Sequence, residues 1–298
     1  MGTQRRDARE AFEERYASIF GSRWPVLRER LLEARERCIR LNGFLFARED
    51  WFRHRPTVSF KWAPECLREW SEVGLEDVPQ GLALEAGYLM DPASVAVALA
   101  LDVNEGMNVL DLCAAPGGKT LILAERMGEF GRLVANELSR SRRFKLVDVL
   151  NRYVPDTVLR RVEVRSWDGG GVGLRHPEQF DRVLVDAPCS AEGHLLQHPR
   201  ELDRWSAARS RQLARRQYAL LCSALLATRP GGRVVYATCS VSPTENDGVI
   251  ERLLHRKGEM VRRIPYRAPL GEQTALGWCV LPDRERAGPA YFAVLEKI

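Results

Sequence analysis

Hydrophobic residues recur at helical spacing in the first part of the chain, which predicts two helices there. The apolar face of the first helix comprises Phe12, Tyr16, Ile19 and Phe20. Trp24-Pro25 ends this pattern and starts another, since proline is tolerated in the first turn of a helix. The apolar stripe expected for the second helix comprises Leu27, Leu31, Leu32, Cys38 and Leu41. The predicted helical region therefore covers residues 10–41.

From about residue 81, short apolar runs alternate with longer segments of mixed polarity, which predicts strands alternating with helices. The strand candidates are residues 108–113, 132–136, 161–166, 181–186, 233–238, 277–281 and 290–296. The helix candidates are residues 92–101, 118–127, 140–152, 205–228 and 244–257. Such alternation is typical of a doubly wound α/β fold with a largely parallel sheet. No helix separates the last two strands, so we expect them to form an antiparallel hairpin at one edge.

The segment between these two regions, residues 42–80, mixes aromatic with basic side chains. The aromatic residues are Trp51, Phe52, Phe60, Trp62 and Trp70, and the basic ones are Arg48, Arg53, Arg55 and Lys61. This mixture suits stacking on bases and contact with phosphates, but it would equally suit the core of a small subdomain. We therefore divide the chain into an N-terminal, mostly helical subdomain that contacts nucleic acid, residues 1–80, and an α/β domain, residues 81–298.

The composition is that of an ordinary soluble globular protein, with 45% hydrophobic and 29% charged residues. No apolar run reaches the ~18 residues of a membrane-spanning helix. Seven cysteines without a Cys-x-x-Cys spacing argue against a disulfide framework and structural zinc, and the five histidines form no metal-ligand pattern. The first twenty residues contain several acids, unlike a mitochondrial presequence. We therefore expect no metal and a cytoplasmic location, with the mitochondrial matrix less favoured.

Arginine dominates the positive charge of the chain. The net charge is +5, and only five of the 45 basic residues are lysine. Arginine binds phosphate with two parallel hydrogen bonds and stacks on bases, so this bias suits an RNA partner. A solvated surface is the alternative explanation for any single arginine cluster.

Three predicted strands end in residues that carry chemistry. The first runs into a glycine-rich turn, DLCAAPGGKT at 111–120, and the other two end in DAPCS at 186–190 and TCS at 238–240. The carboxyl ends of parallel strands meet at one edge of a sheet, so we expect Cys189 and Cys239 to share a crevice with this turn. Acids at two further strand ends, Glu137 and Asp168, suit the ribose and the adenine of a bound nucleoside. The pattern predicts group transfer through a cysteine nucleophile.

A P-loop NTPase is an alternative explanation for the glycine-rich turn. Gly118-Lys119-Thr120 fits the end of a Walker A loop, but Cys113 occupies the position of its first glycine. Pro116 also removes a backbone N–H group that would bind phosphate. A catalytically silent RNA-binding or assembly factor is a third possibility, against which the intact cysteines at 189 and 239 argue.

In combination, the three motifs resemble the Nop/Sun family of RNA cytosine-5 methyltransferases, from about residue 85 to the end of the chain. The resemblance implies a class I methyltransferase (Rossmann-like) fold, with a mostly parallel seven-stranded sheet and an antiparallel edge hairpin. It also implies S-adenosylmethionine as the methyl donor and an RNA cytosine as the acceptor. Similarity to the short branch of the family favours ribosomal RNA and leaves transfer RNA open. We expect neither DNA nor a membrane as partner, whereas a protein or the ribosomal particle could supply specificity.

The resemblance also implies roles for particular residues. The residues expected to bind the cofactor are Cys113, Ala114, Ala115, Pro116, Gly117, Gly118, Lys119, Glu137, Asp168 and Asp186. By the same motifs, Cys239 is the thiol that attacks carbon 6 of the cytosine, and Cys189 assists release of the methylated product. Asp186 is expected to lie between the cofactor and the base.

Overall fold

The computed structural model describes residues 8–33, 37–45, 60–63, 67–69, 84–85 and 87–298. The helices are α1 (Ala8–Phe20), α2 (Trp24–Leu32), α3 (Pro92–Ala100), α4 (Gly118–Met127), α5 (Arg140–Tyr153), α6 (Asp156–Leu159), α7 (Val172–Arg175), α8 (Glu192–Gln197), α9 (Pro199–Leu202), α10 (Ala207–Ala227) and α11 (Asp247–Lys257). The strands are β1 (Cys38–Leu41), β2 (Leu67–Glu69), β3 (Gly87–Met90), β4 (Asn108–Asp111), β5 (Arg132–Asn136), β6 (Val162–Arg165), β7 (Phe180–Asp186), β8 (Thr228–Thr238), β9 (Val261–Arg263), β10 (Glu272–Gln273), β11 (Trp278–Val280) and β12 (Ala290–Lys297).

Within the described part of the chain, the main sheet has nine strands. Their order is β10-β11-β12-β8-β7-β4-β5-β6, and β9 pairs with one end of β12. The strands from β8 to β6 run parallel, whereas β12 is antiparallel to β8, β9 and β11. The prediction of a doubly wound, mostly parallel α/β sheet is confirmed.

Two details of the sheet differ from the prediction. The strands β9 and β10 bring the total from seven to nine, and they are too short, at three and two residues, to produce an alternating pattern. The last two predicted strands do pair antiparallel, but β12 lies inside the sheet, between β8 and β11. The strand at this edge of the sheet is β10.

Both faces of the sheet are buried, because successive side chains of a strand point to opposite sides. Along β7, Leu184 belongs to a cluster that includes Leu121 of α4. Its neighbour Val183 belongs to a second cluster, which includes Leu221 of α10 and Ile250 of α11. Coverage on both faces explains why the central strands are continuous apolar runs.

The predicted second helix was too long. Helix α2 ends at Leu32, which is 41% exposed. Cys38 and Leu41 belong instead to strand β1, which pairs antiparallel with β2 and β3. The strand pairings join residues distant in sequence, so helical spacing alone could not reveal them. The small sheet joins residues from both sides of the predicted domain boundary between residues 80 and 81. The boundary itself remains a prediction.

The N-terminal helices pack against the segments that follow the two cysteines. Phe12 and Tyr16 of α1 and Trp24 of α2 share a buried cluster with Trp205 and Val241. In the aromatic and basic segment, Phe60 and Trp62 pack beside Cys38 and Met90, which matches the alternative of a small core. The predictions for Arg48, Trp51, Phe52, Arg53, Arg55 and Trp70 concern residues outside those that the structure describes.

Candidate active site

The carboxyl ends of β4, β7 and β8 lie side by side, because these strands are parallel neighbours. A cavity of about 240 Å³ opens there. Seven of the predicted site residues line it: Cys113, Ala114, Ala115, Pro116, Gly118, Lys119 and Asp186. Tyr88, Ser94 and Asp111 also contribute to its wall. Gly117, Glu137, Asp168 and the two cysteines of the later motifs are not among the lining residues.

Two glycines shape the turn between β4 and α4. Gly117 has a φ of +119°, a conformation that L side chains rarely adopt. A Cβ atom on Gly118 would lie only 2.8 Å from Cε1 of Tyr88. The turn therefore brings its backbone against the wall of the cavity without an intervening side chain.

Asp111 ends β4 and is almost completely buried, with 1% of its surface exposed. Its Oδ2 accepts a hydrogen bond of 2.8 Å from Oγ1 of Thr120, while its Oδ1 is buried and accepts none from the protein. Burial raises the pKa of Asp111 to about 7, although the hydrogen bond from Thr120 opposes that rise. The cavity thus contains a carboxyl group with one acceptor left for a ligand.

Asn136, at the end of β5, connects three strand ends, a role that the sequence motifs did not reveal. Its Nδ2 donates to the carbonyl oxygens of Leu112 and Trp167, at 3.0 and 3.2 Å. Its Oδ1 accepts from the backbone N–H of Trp167 at 2.7 Å. Because the side chain makes all these bonds from a buried position, it holds the loops after β4 and β6 together. The only hint in the sequence is the position of Asn136 beside Glu137.

The two acids predicted to bind the nucleoside differ in environment. Glu137 is buried, and its Oε1 accepts from the backbone N–H of Ser139 at 2.8 Å. Its Oε2 lies 3.2 Å from Nη1 of Arg142, which also donates from Nη2 to the carbonyl oxygen of Ala115 at 2.5 Å. Asp168 is exposed and caps a short turn by accepting from the N–H of Gly170 at 3.1 Å. Glu137 is thus connected to the glycine-rich turn through Arg142, whereas the contact described for Asp168 is with its own turn.

Lys119 and Asp186 form an ion pair inside the cavity. Nζ of Lys119 donates to Oδ2 of Asp186 at 2.8 Å and lies 3.3 Å from Oγ of Ser94. Burial alone would lower the pKa of Lys119, but the nearby negative groups, Asp186 first and Cys239 among them, outweigh it and raise the pKa. The site therefore holds a charged ammonium group close to Cys239.

The two predicted catalytic cysteines do meet. Sγ of Cys189 lies 3.0 Å from Sγ of Cys239, and both are free thiols. The hydrogen bond to Cys239, followed by burial, raises the pKa of Cys189 well above its ordinary value. Either thiol can donate the hydrogen bond that joins the two sulfurs.

Two fully buried carboxylates fix the loops that bear these cysteines. Glu192 accepts hydrogen bonds from Ser190, Ser240 and the backbone N–H of Val241. A further bond to Glu192 comes from the hydroxyl of Tyr16 in α1, at 2.5 Å. Burial raises the pKa of Glu192, with a further contribution from the charge of Glu245.

Glu245 supports the loop of Cys189 from the other side. Its Oε2 accepts from the N–H of Ser190 at 3.0 Å and from Nε2 of Gln217 at 2.9 Å. Its Oε1 accepts from the hydroxyl of Ser210 at 2.7 Å and lies 2.6 Å from the hydroxyl of Ser190, whose single hydrogen can point to either Glu192 or Glu245. Sequence reasoning missed both carboxylates and Tyr16, since their partners lie up to 176 residues away.

Within the described residues, no group of three or more histidine, cysteine or acidic side chains could hold a metal ion. Over the same part of the chain, every helix is too short or too polar to span a bilayer.

Known proteins match this chain over most of its length. A family model described as 16S rRNA methyltransferase RsmB/F matches residues 98–296. The 5-cytosine rRNA methyltransferase NSUN4 of Mus musculus is 36% identical over 285 residues, covering 84% of this chain and 74% of that protein. The mitochondrial tRNA (cytosine(34)-C(5))-methyltransferase of Danio rerio is 44% identical over 228 residues, covering 72% of this chain and 62% of that one.

A solved structure agrees with the fold. The methyltransferase homologue from Pyrococcus horikoshii is 26% identical to this chain, with a TM-score of 0.80 over 97% of this chain and 95% of that one. The class I methyltransferase fold and the resemblance to the Nop/Sun family are thus confirmed. The expectation of S-adenosylmethionine as cofactor is confirmed as well, because the matching family consists of methyltransferases that depend on it. The P-loop NTPase alternative finds no support.

The expectation of a cytoplasmic protein is wrong. The Danio rerio relative is named as mitochondrial, which goes against a cytoplasmic location. The relatives act on ribosomal and transfer RNA, as their names state. From the family match, the relatives and the fold together, the chain belongs to the 16S rRNA methyltransferase RsmB/F family of RNA cytosine-5 methyltransferases.

Proposed function

We propose that this chain transfers a methyl group from S-adenosylmethionine to carbon 5 of a cytosine in ribosomal RNA, through a covalent bond between Cys239 and carbon 6. The observation that carries the proposal is the pair of free thiols, with their sulfurs 3.0 Å apart. They follow the neighbouring strands β7 and β8, and β7 ends at Asp186, in the wall of the cavity of the glycine-rich turn. A methyl donor bound in that cavity and a cytosine bound at the thiols would therefore lie close to each other.

The residues of the cavity suit this cofactor. When bound, S-adenosylmethionine supplies an electrophilic methyl group on a positively charged sulfonium. The turn from Cys113 to Lys119 would cradle its methionine and sugar, and the free acceptor on Asp111 suits a positively charged ligand. Glu137 would accept from the ribose hydroxyls, and Asp168 from the amino group of the adenine.

The reaction needs a nucleophile because carbon 5 of cytosine is too electron-poor to attack a methyl group unaided. Addition of the Cys239 thiolate to carbon 6 would turn the ring into an enamine whose carbon 5 can attack. Covalent catalysis of this kind divides one difficult step into easier ones. The base must be single-stranded or extruded from its helix to reach the thiol.

Two neighbours would help Cys239 to ionise. A free thiol has a pKa near ~8.5, and nearby positive charge lowers it. The ammonium of Lys119 supplies that charge, and the Cys189 thiol can donate a hydrogen bond to the thiolate. Asp186 keeps Lys119 in place, and a proton shared in this ion pair would be available to N3 of the base.

Cys189 would act again after methyl transfer. The hydrogen on carbon 5 must leave as a proton, and its electron pair then re-forms the 5,6 double bond while the bond from carbon 6 to Cys239 breaks. The base that takes this proton is a water that Cys189 orients, or the Cys189 thiolate itself after its own proton has passed to solvent. Without it, the enzyme would remain attached to its methylated product.

Trapping the covalent complex tests these roles. The Cys189→Ala variant, expressed in cells, should retain RNA through denaturing purification, and sequencing that RNA would identify the substrate. The double variant Cys189→Ala, Cys239→Ala should retain none. Cys222→Ala, which changes a cysteine on α10 away from the thiol pair, is the matched control and should behave as wild type. An adduct that persists without Cys239 would show that the roles are assigned wrongly.

Transfer RNA is the second candidate substrate, since the Danio rerio relative with 44% identity is named as a tRNA enzyme. Purified protein incubated with separate ribosomal and transfer RNA fractions and a radiolabelled methyl donor should label the ribosomal fraction preferentially. The division into an RNA-contacting subdomain, residues 1–80, and a methyltransferase domain, residues 81–298, is part of the proposal, as is a protein or ribosomal partner that supplies specificity.

A further inference from the structure

A second cavity, of about 390 Å³, begins at the loop that follows Cys239. Arg211 and Arg215 of α10 and Arg252 of α11 line it, and Thr244 and Gly248 form the wall between the two helices. All three arginines are exposed to solvent. The cavity is therefore open to a ligand and surrounded by positive charge.

The arginines of this cavity have no acidic partner within the part of the chain that the structure describes. Among the described residues, none of the three guanidinium groups forms an ion pair, in contrast to Arg23, which pairs with both Glu272 and Asp283. Arg252 lies over the ring of Tyr218, with 4.3 Å between its Cζ and the ring centroid, so its stem is held while its N–H groups remain available. A cluster of guanidinium groups without acids is a binding site for an anion.

A fourth arginine approaches the same wall from α1. Nη2 of Arg15 donates to Oγ1 of Thr244 at 3.0 Å, and its Nε is buried without an acceptor. The guanidinium is thus anchored at the cavity wall and still has an unused donor. Arg15 thus adds positive charge next to the wall, although it is not itself among the residues that line the cavity.

The cavity is rigidly connected to the catalytic thiols. Thr244 precedes Glu245, which accepts from the backbone N–H of Ser190, the residue after Cys189. Ser210 and Gln217, on the same helix as two of the arginines, also donate to Glu245. A group bound among the arginines would therefore be held at a fixed position relative to the thiols.

We propose that this cavity binds a phosphate of the RNA strand that carries the target cytosine. The inference rests on the proposed function, because a strand whose base reaches Cys239 must carry phosphates past the neighbouring surface. The planar fork of arginine matches phosphate, and a concave site with three such forks suits a single phosphate better than it suits the broad acidic face of a protein. The cavity would position the strand and take no part in the chemistry.

Binding of a short fluorescein-labelled single-stranded RNA, measured by anisotropy at several KCl concentrations, tests this inference. Arg215→Ala and Arg252→Ala should each weaken binding about tenfold at low salt, as expected for loss of a charge-assisted contact. The slope of log affinity against log salt should fall by about 0.7 when one phosphate contact is lost. Arg216→Ala, on the same helix but outside the cavity, is the matched control and should keep the slope of the wild type.

Two results would overturn the inference. One is an unchanged affinity for the labelled RNA in the Arg215 and Arg252 variants. The cavity would then be a binding site for an acidic protein partner and not for RNA. The other is an equal loss in Arg216→Ala, which would mean that only the general positive charge of the surface matters. In methylation assays the cavity variants should raise KM for RNA and leave kcat and the affinity for S-adenosylmethionine unchanged. A wild type that binds the labelled strand and yet methylates no RNA would contradict the proposed function but would leave the inferred phosphate site intact.

Discussion

Gly118 illustrates how a single residue controls the cofactor cavity. A methyl group at this position would lie 2.8 Å from Cε1 of Tyr88, whose ring packs against Tyr153 with 5.3 Å between centroids. Because Tyr88 cannot easily retreat, we expect Gly118→Ala to displace the turn and to weaken S-adenosylmethionine binding about tenfold, which corresponds to ~1.4 kcal/mol. Isothermal titration calorimetry measures this affinity. Gly171→Ala, where the nearest atom lies 3.9 Å away, should bind normally, and a normal affinity in Gly118→Ala would contradict the expectation.

Asp111 makes the stability of the protein depend on pH. Burial raises the pKa of this carboxyl from 3.8 to about 7, so the folded state keeps a proton that the unfolded state has already lost. The stabilisation is complete below the unfolded pKa and disappears as the pH rises through the folded one. Relative to Asp111→Asn, the wild type should therefore lose on the order of 2–4 kcal/mol of unfolding free energy between about pH 4 and pH 8.

Urea denaturation of the wild type and of Asp111→Asn at a series of pH values measures this difference. All other titrating groups are common to the two proteins, so their contributions cancel. A difference in unfolding free energy that stays constant with pH would mean that Asp111 is charged in the folded protein.

At the level of elements, helix α1 stabilises the loops that follow β7 and β8. The hydroxyl of Tyr16 donates to Glu192, which also accepts hydrogen bonds from residues next to Cys189 and Cys239. Loss of a hydrogen bond to a buried charged group costs about 1.5–3 kcal/mol. We therefore expect Tyr16→Phe to lower the unfolding free energy by about that amount and to reduce kcat, while KM for S-adenosylmethionine stays unchanged.

Urea denaturation and steady-state kinetics on the same preparations test this expectation. Tyr266→Phe removes a hydroxyl from a half-buried tyrosine elsewhere and should leave kcat unaltered. A Tyr16→Phe enzyme that loses stability but keeps its full kcat would mean that α1 supports the fold without positioning the thiols.

Helices and strands could be predicted from the sequence where their pattern lies within the element itself, and not where they depend on residues far away in the chain. The strands ending at Asp111, Asp186 and Thr238 are short apolar runs followed by distinctive motifs, so the sequence predicted both where these strands lie and where their ends meet. Cys38 was misassigned because its strand depends on pairing with Met90, 52 residues away. Glu192 and Glu245 were missed because nothing in a sequence distinguishes a buried carboxylate from a solvated one until its partners are known.

For the molecule as a whole, the family motifs predicted the fold class and the cofactor, since both depend on the order of strands and on one turn. The compartment could not be predicted in this way, because the contacts of the folded chain are the same in cytoplasm and mitochondrion. The packing of the N-terminal helices could not be predicted from the sequence either, because it joins Phe12 and Trp24 to side chains far away in the chain, such as Trp205.

The place of β12 in the sheet has a consequence for the order in which the protein is made. This strand follows all its partners in the chain, yet it lies between β8 and β11 and pairs with six residues of β8. A nascent chain that has emerged only as far as residue 289 would therefore expose one edge of the apolar strand leading to Cys239. Unpaired edges of this kind invite association with other chains. Newly synthesised protein should thus depend most on chaperones just before its final segment emerges, and it should gain its thiol site only afterwards.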